Sequence, residues 1–146
     1  SHFGKKHKRI IKRFISSHQL TREQKYIFKQ IPRYLKTCDS AILLEAKKDD
    51  DVVAFSIIDI DSADYAYYLF NFRSNKINIP GASDLLFSEM VALAHDEGKK
   101  AINLGLGIND GILHFKEKWG GVPFQPYNSA LVHREPIALG GLAKKL

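Results

Sequence analysis

Apolar positions along this chain change period twice, and the changes divide it. From Lys5 to His18, Ile10, Ile11, Phe14 and Ile15 recur at helical spacing while Lys and Arg fill the other faces, which predicts an amphipathic basic helix. A second helix is predicted from Thr21, where Thr21-Arg22-Glu23-Gln24 has the form of a capping box and Ile27, Ile31, Tyr34 and Leu35 give a buried stripe. Pro32 inside it predicts a kink or a break near Ile31. From Ser40 the period becomes two, and Ala41 to Ala46, Val52 to Ile60 and Tyr65 to Arg73 read as strands rich in β-branched and aromatic residues. Their short, Asp-rich connectors predict an antiparallel meander. In the third strand Tyr65, Tyr67 and Leu69 are expected on one side and Ala66, Tyr68, Phe70 and Phe72 on the other, both apolar, as in a strand covered on both faces.

The helical period returns after Pro80-Gly81-Ala82-Ser83-Asp84, with Leu85, Leu86, Met90, Leu93 and Ala94. Ser83 or its neighbour is the expected N-cap and Gly98 the left-handed stop. Ala101 to Leu106 then reads as a short buried strand, parallel to Tyr65–Arg73 because a crossover helix joins the two. Asn109 or Asp110 caps a further helix through Trp119, closed by Gly120-Gly121; Phe124 to His133 reads as a last strand, and the end of the chain as a frayed tail. The expected organisation is a basic helical segment (residues 1–36) belonging to an α/β domain (37–134), followed by a tail (135–146). Its fold class is α/β (α+β): a mixed central sheet in which an antiparallel meander leads into a βαβ crossover, with helices on both faces.

Composition narrows the class without naming it. The 146 residues, 45% hydrophobic and 26% charged, suit one domain with an ordinary core, and the single Cys38 excludes an internal disulfide. A reducing, cytoplasmic setting is therefore expected. No apolar run approaches the length of a membrane span and the basic start is not followed by an apolar export segment. The chain opens on Ser and not Met, as expected of a cloning remnant or the cut end of a longer chain, so Ser1 and His2 carry little weight. The net charge of +6 and pI of about 9.4 are uneven. Residues 1–36 hold eleven Lys/Arg against Glu23 alone, a net of +10, and the remainder is −4.

The order α-α-β-β-β-α-β-α-β, with Asn109-Asp-Gly-Ile-Leu-His-Phe-Lys-Glu-Lys-Trp-Gly120 near its end, resembles the GNAT acyltransferases, whose final helix opens on Asn and closes on Tyr-x-Lys-x-Gly. Asn109, Lys118 and Gly120 fall on that pattern, and Lys116 stands where the common acetyltransferases have Tyr. Phe115-Lys116 with Trp119-Gly120-Gly121 looks closer to the FemAB-like branch, a likeness extending back through Asn103-Leu104-Gly105 and Pro80-Gly81-Ala82-Ser83. The resemblance implies an acyl-CoA donor, such as acetyl-CoA, in the wedge between Tyr65–Arg73 and Ala101–Leu106. Backbone near Phe70 and Phe72 would pair with its amide-bearing arm, and Asn109 would contact it. Lys116 would stabilise charge on the carbonyl or leaving group. From the residues alone, a helix start at Gly81, Ala82 and Ser83 offers unpaired N–H groups and a positive dipole end to a pyrophosphate. Pro80 removes one N–H from that cradle, and only Ala82 meets the family's small-residue loop pattern.

Other chemistries find less. The six histidines, at 2, 7, 18, 95, 114 and 133, lack ligand spacing, and with one Cys no metal is expected. His114 and His133 are candidates for proton transfer; Glu45, Asp59 and Asp61 are candidates for a general base only by lying on or near the sheet. Cys38 reads as a buried or half-buried thiol and Trp119 as a core anchor under the final helix. Lys5, Lys6, Lys8, Arg9, Lys12 and Arg13 read either as a wet helix face or as contacts for RNA or an anionic surface. The expected function is an N-acyltransferase acting on a small-molecule or peptidyl amine. The alternatives are a FemAB-like transferase fed by aminoacyl-tRNA, which would give the basic segment a purpose, and a non-catalytic binding module of the same fold.

Overall fold

Four strands hydrogen-bond in sequence order: β1 (Ala41–Lys48), β2 (Asp51–Asp59), β3 (Tyr65–Arg73) and β4 (Ala101–Asn103), the first three antiparallel and β4 parallel to β3. The computed structural model of the chain describes residues 2–107, 109–124 and 126, in two compact units, Ser1–Gly107 and Ile108–Leu146. The first holds the sheet with α1 (Lys5–Ser17), α2 (Arg22–Thr37) and α3 (Ala82–Asp96); the second holds α4 (Asp110–Lys118). Apart from Phe124 and Pro126, the strand predicted over Phe124 to His133 lies outside the described residues, as does the tail. Among the described residues no helix is long and apolar enough to cross a membrane.

Helices cover both faces of the sheet, as the patterning predicts. Ile10 and Ile11 of α1 and Ile31 of α2 pack with Leu43, Val52, Phe55, Ile57 and Phe72. On the opposite face Ala82 and Leu86 of α3 pack with Ala46, Val53 and Ala54. Phe72 is the hub of the first layer, its ring within 5.1–6.2 Å of those of Phe14, Phe28, Phe55 and Phe70. Such aromatic pairs contribute about 0.5–1.5 kcal/mol each beyond their buried area.

Local chemistry sets most element ends. Thr21 and Gln24 form the expected reciprocal cap, Gln24 N–H donating to the Thr21 hydroxyl at 3.2 Å and Thr21 N–H to Gln24 Oε1 at 2.9 Å. Gly98, at φ +66, ends α3 in a Schellman arrangement: Lys99 N–H donates to Ala94 O and Gly98 N–H to His95 O.

Five expectations need correction. The helix over Arg22–Thr37 is unbroken through Pro32; Ile31 beside it is fully buried, and tertiary packing outweighs the lost hydrogen bond. Its inward stripe runs through Phe28, whose ring meets Phe14, Phe70 and Phe72, while Ile27 is 49% exposed. The most completely covered strand is β2, buried from Val52 to Ile58, and not β3. β4 ends at Asn103, not Leu106, because the Asn103 side chain turns back to accept Gly105 N–H at 2.8 Å. Finally, β3 changes parity partway. Phe70 pairs with Ile57 and Tyr68 with Ile58, so Leu69 is an extra residue in a β-bulge. Phe70 and Phe72 therefore face α1 and α2, whereas the Tyr68 ring stands edge-on to Phe87 of α3.

Candidate functional site

The bulge at Leu69 sits where the parallel pair divides. β3 and β4 share only the pairs Tyr65–Ala101, Ala66–Ile102 and Tyr67–Asn103. From Tyr68 to Arg73, no described strand pairs with β3 on the side away from β2. Gly105, at φ +65, keeps its backbone beside this edge: a Cβ placed there would lie 4.0 Å from the Tyr68 carbonyl oxygen. The result is a fork with one extended backbone edge available to a linear amide-bearing chain.

The same end of the sheet carries the start of α3, since only residues 74–81 separate Arg73 from Ala82. Its N-cap is Gly81, at φ +78, and not Ser83 or a direct neighbour. Left-handed backbone at that position is open to glycine at little cost, and no atom lies within 4 Å of a Cβ built on it. Ala82 is buried with its N–H bonded to Ile79 O at 3.3 Å, and Ser83 N–H, in the same first turn, is one of the helix-start donors that has no acceptor within the helix. Asp84 places a carboxylate in that turn and partly offsets the dipole. Lys47 and Lys48 line an open groove of about 350 Å³ with Pro80, Gly81, Ala82 and Leu85.

Arg73, which the sequence pattern does not single out, organises this loop: its Nη2 donates to Asn78 Oδ1 at 2.8 Å and to Ile79 O at 3.2 Å. The signal was an Arg closing a strand made mostly of aromatic and apolar residues. A second missed feature faces α3. Ser56 and Asn71 are register partners, and Ser56 Oγ and Asn71 Oδ1 are buried without a hydrogen bond of ordinary geometry. The polar group beside them is the Tyr68 phenol, whose pKa burial raises against the opposing influence of Asn71 and Ser56.

The expected cofactor residues therefore divide. The Phe70 and Phe72 side chains belong to the aromatic core, and only their backbone borders the fork. Gly81, Ala82 and Ser83 form the first turn of α3. In the second unit, Asn109 caps α4, its Oδ1 accepting Ile112 N–H at 2.9 Å. Lys116 is buried, and that burial pushes its ammonium below the usual lysine range. The helix closes as expected, with Trp119 half-buried at the C-cap and Gly121 N–H donating to Lys116 O.

The general-base candidates are engaged elsewhere or exposed. Glu45 lies on β1, at the opposite edge of the sheet from β4, 2.8 Å from His7 Nε2 and 3.1 Å from Lys47 Nζ. Asp59 accepts from Tyr34 Oη, from Ser40 Oγ at 2.8 Å and from Asp61 N–H at 2.8 Å, with the half-buried Cys38 thiol 3.6 Å away. Burial pushes the Asp59 carboxyl up, but these donors outweigh it and hold the group below the ordinary carboxylate range. Burial and the Asp59 hydrogen bond hold the Tyr34 phenol well above its own. Asp61 contributes a backbone donor and is exposed. His114 is exposed on α4; His133 lies outside the described residues. Among the described residues no three His, Cys, Asp or Glu side chains are grouped to hold a metal ion.

No family model and no curated protein matches the sequence. Solved structures match in fold. An acetyltransferase of Trypanosoma brucei shares 10% identity over 87% of this chain and 91% of that one, with a TM-score of 0.60. The ribosomal-protein-alanine N-acetyltransferase of Brucella melitensis biovar Abortus 2308 shares 12% over 88% and 90%, with a TM-score of 0.62. A GNAT family acetyltransferase of Elizabethkingia anophelis with acetyl-CoA bound shares 18% over 62% and 58%, with a TM-score of 0.52. The fold is that of the GNAT acetyltransferases, a mixed four-stranded sheet with helices on both sides. Nothing in these comparisons supports the narrower FemAB-like likeness.

Proposed function

We propose that this protein is an N-acyltransferase that moves an acyl group from acyl-CoA to an amine acceptor. The observation that carries the reading is the fork: β3 and β4 part after three residue pairs, at a bulge, and the fork opens toward the end of β3 from which the chain runs into α3. The free β3 edge fits the amide-bearing arm of coenzyme A, and the start of α3 at Gly81, Ala82 and Ser83, with Lys47 and Lys48 lining the groove beside Gly81 and Ala82, suits its phosphates. When bound, that donor supplies a thioester carbonyl open to attack by an amine. The acetyl-CoA-bound neighbour with the same fold supports this class of donor.

The chain's own residues then have three tasks. Backbone from Tyr68 to Phe72 orients the donor arm, held rigid because the Phe70 and Phe72 rings are anchored in the core. Asn109 fixes the start of α4. Lys116, made more acidic by burial, gives a proton to the departing thiolate, while the attacking amine releases its proton to solvent. The test is thiol release from acetyl-CoA with a panel of small and peptidyl amines. Lys116→Ala is expected to lower kcat about 10²-fold or more with KM for the donor little changed. Amine-independent thiol release, or full activity in Lys116→Ala, would reject the assignment.

A further inference from the structure

The outward faces of α1 and α2 carry the charge that no part of the acyl-transfer reading uses. Both helices pack on the same face of the sheet and turn their remaining sides to solvent. On α1, Lys5, Lys8, Arg9 and Lys12 are exposed at i, i+3, i+4 and i+7, one stripe of a helix. On α2, Arg22, Lys25, Lys29, Arg33 and Lys36 are exposed along a second stripe, spanning about 21 Å at 1.5 Å per residue. Tyr26 lies within that stripe and is 64% exposed.

Two observations separate this surface from an ordinary wet helix face. Among the described residues none of these nine cations has a carboxylate partner, whereas Lys6, Lys47 and Lys100 pair with Asp51, Glu45 and Asp64. The α2 stripe also sets like charges three and four residues apart along its whole length, an arrangement that opposes the helix and is relieved by a polyanion. An anionic membrane fits less well. The aliphatic residues of both helices, Ile10, Ile11 and Ile31 foremost, pack toward the sheet except Ile27, which is exposed beside Tyr26, so neither helix has a continuous apolar face to insert.

We propose that the outer face of α1 and α2 binds single-stranded RNA, with the two cation stripes following the phosphates and Tyr26 offering a ring on which a base stacks. The inference rests on these helices alone and holds whichever acyl donor feeds the fork.

Fluorescence anisotropy of a labelled 20-nucleotide mixed-sequence RNA, titrated with the full chain at several salt concentrations, tests it. Affinity is expected to fall steeply with salt. Lys25→Gln/Lys29→Gln/Arg33→Gln should weaken binding at least tenfold and reduce the magnitude of the log–log slope by about 2. Tyr26→Ala should weaken it about fivefold or more with the slope unchanged. Far-UV circular dichroism melts of each variant confirm that the helices remain folded. The proposal is overturned by undetectable RNA binding, by a flat salt response, or by variants that bind like the parent. Tighter binding to duplex RNA or to vesicles of 70% phosphatidylcholine and 30% phosphatidylserine would also overturn it.

Discussion

His7 Nε2 lies 2.8 Å from Glu45 Oε1, joining the first turn of α1 to the middle of β1 with both side chains buried. The other ring nitrogen, Nδ1, accepts Gly4 N–H at 3.0 Å, which assigns the proton of a neutral ring to Nε2. Burial lowers the His7 pKa below 6.5, outweighing the raising influence of Glu45. The unfolded chain therefore binds the His7 proton more readily than the folded one, and stability rises with pH. It should be fully present above about pH 6.5 and decline as pH falls from there through the folded value. Denaturant unfolding between pH 5 and 8 checks this. His7→Gln keeps a donor to Glu45 and is expected to flatten the decline; an equally steep decline in that variant would assign it to other groups.

Asp59 is the hydrogen-bond acceptor that ties the end of α2 to the first two strands through Tyr34, Ser40 and Asp61. Hydrogen bonds to a charged group contribute about 1.5–3 kcal/mol each, and Asn can retain some of them. Asp59→Asn is expected to destabilise by about 2 kcal/mol at pH 7. Because the folded pKa is depressed, the wild-type advantage should be present above pH 3.8 and disappear as pH falls below it. Urea titrations at pH 7 and pH 3 distinguish this from a loss that ignores pH.

Gly81 starts α3 in left-handed backbone with open space around it. An added methyl meets no clash, so only conformational strain of about 1–2 kcal/mol is expected for Gly81→Ala. Gly81→Asn should lose less, since Asn visits this region more readily. Thermal melts of the two variants give the order; equal losses would point to a packing cause.

For Lys116 acting as the acid, the rate falls as pH rises through its pKa, which burial places below 10.5. The alkaline limb of kcat should therefore appear below the ordinary lysine range. Lys116→Arg should move that limb upward or abolish it. A limb unaffected by the substitution would belong to another group.

The sheet, its strand order and the crossover were legible in the sequence because period-two runs and Asp-rich turns act locally. The Leu69 bulge was not, since an extra residue leaves the apolar pattern of Tyr65 to Arg73 unmarked and shows only in its pairing with Ile57 and Ile58. It also hid the side to which Tyr68 turns. The face of α2 depended on where Phe14 of α1 packs, which placed Phe28 inward and Ile27 outward. His7 and Glu45 are far apart in sequence, and neither position announces that it is buried with the other. Of the candidate site, the helix start near Gly81 and the cap at Asn109 were legible from small residues and capping chemistry; Arg73 acts through a loop whose path the sequence does not encode simply.

Whether the β3–β4 fork receives coenzyme A is most directly measured by an amide chemical-shift titration of the labelled chain with acetyl-CoA. Saturable shifts are expected at Leu69, Phe70, Asn71 and Phe72 together with Ser83 and Asp84, and a stabilisation of about 2.7 kcal/mol at 100 times the dissociation constant. No shifts at millimolar acetyl-CoA, or shifts confined to residues away from β3 and the start of α3, would contradict it.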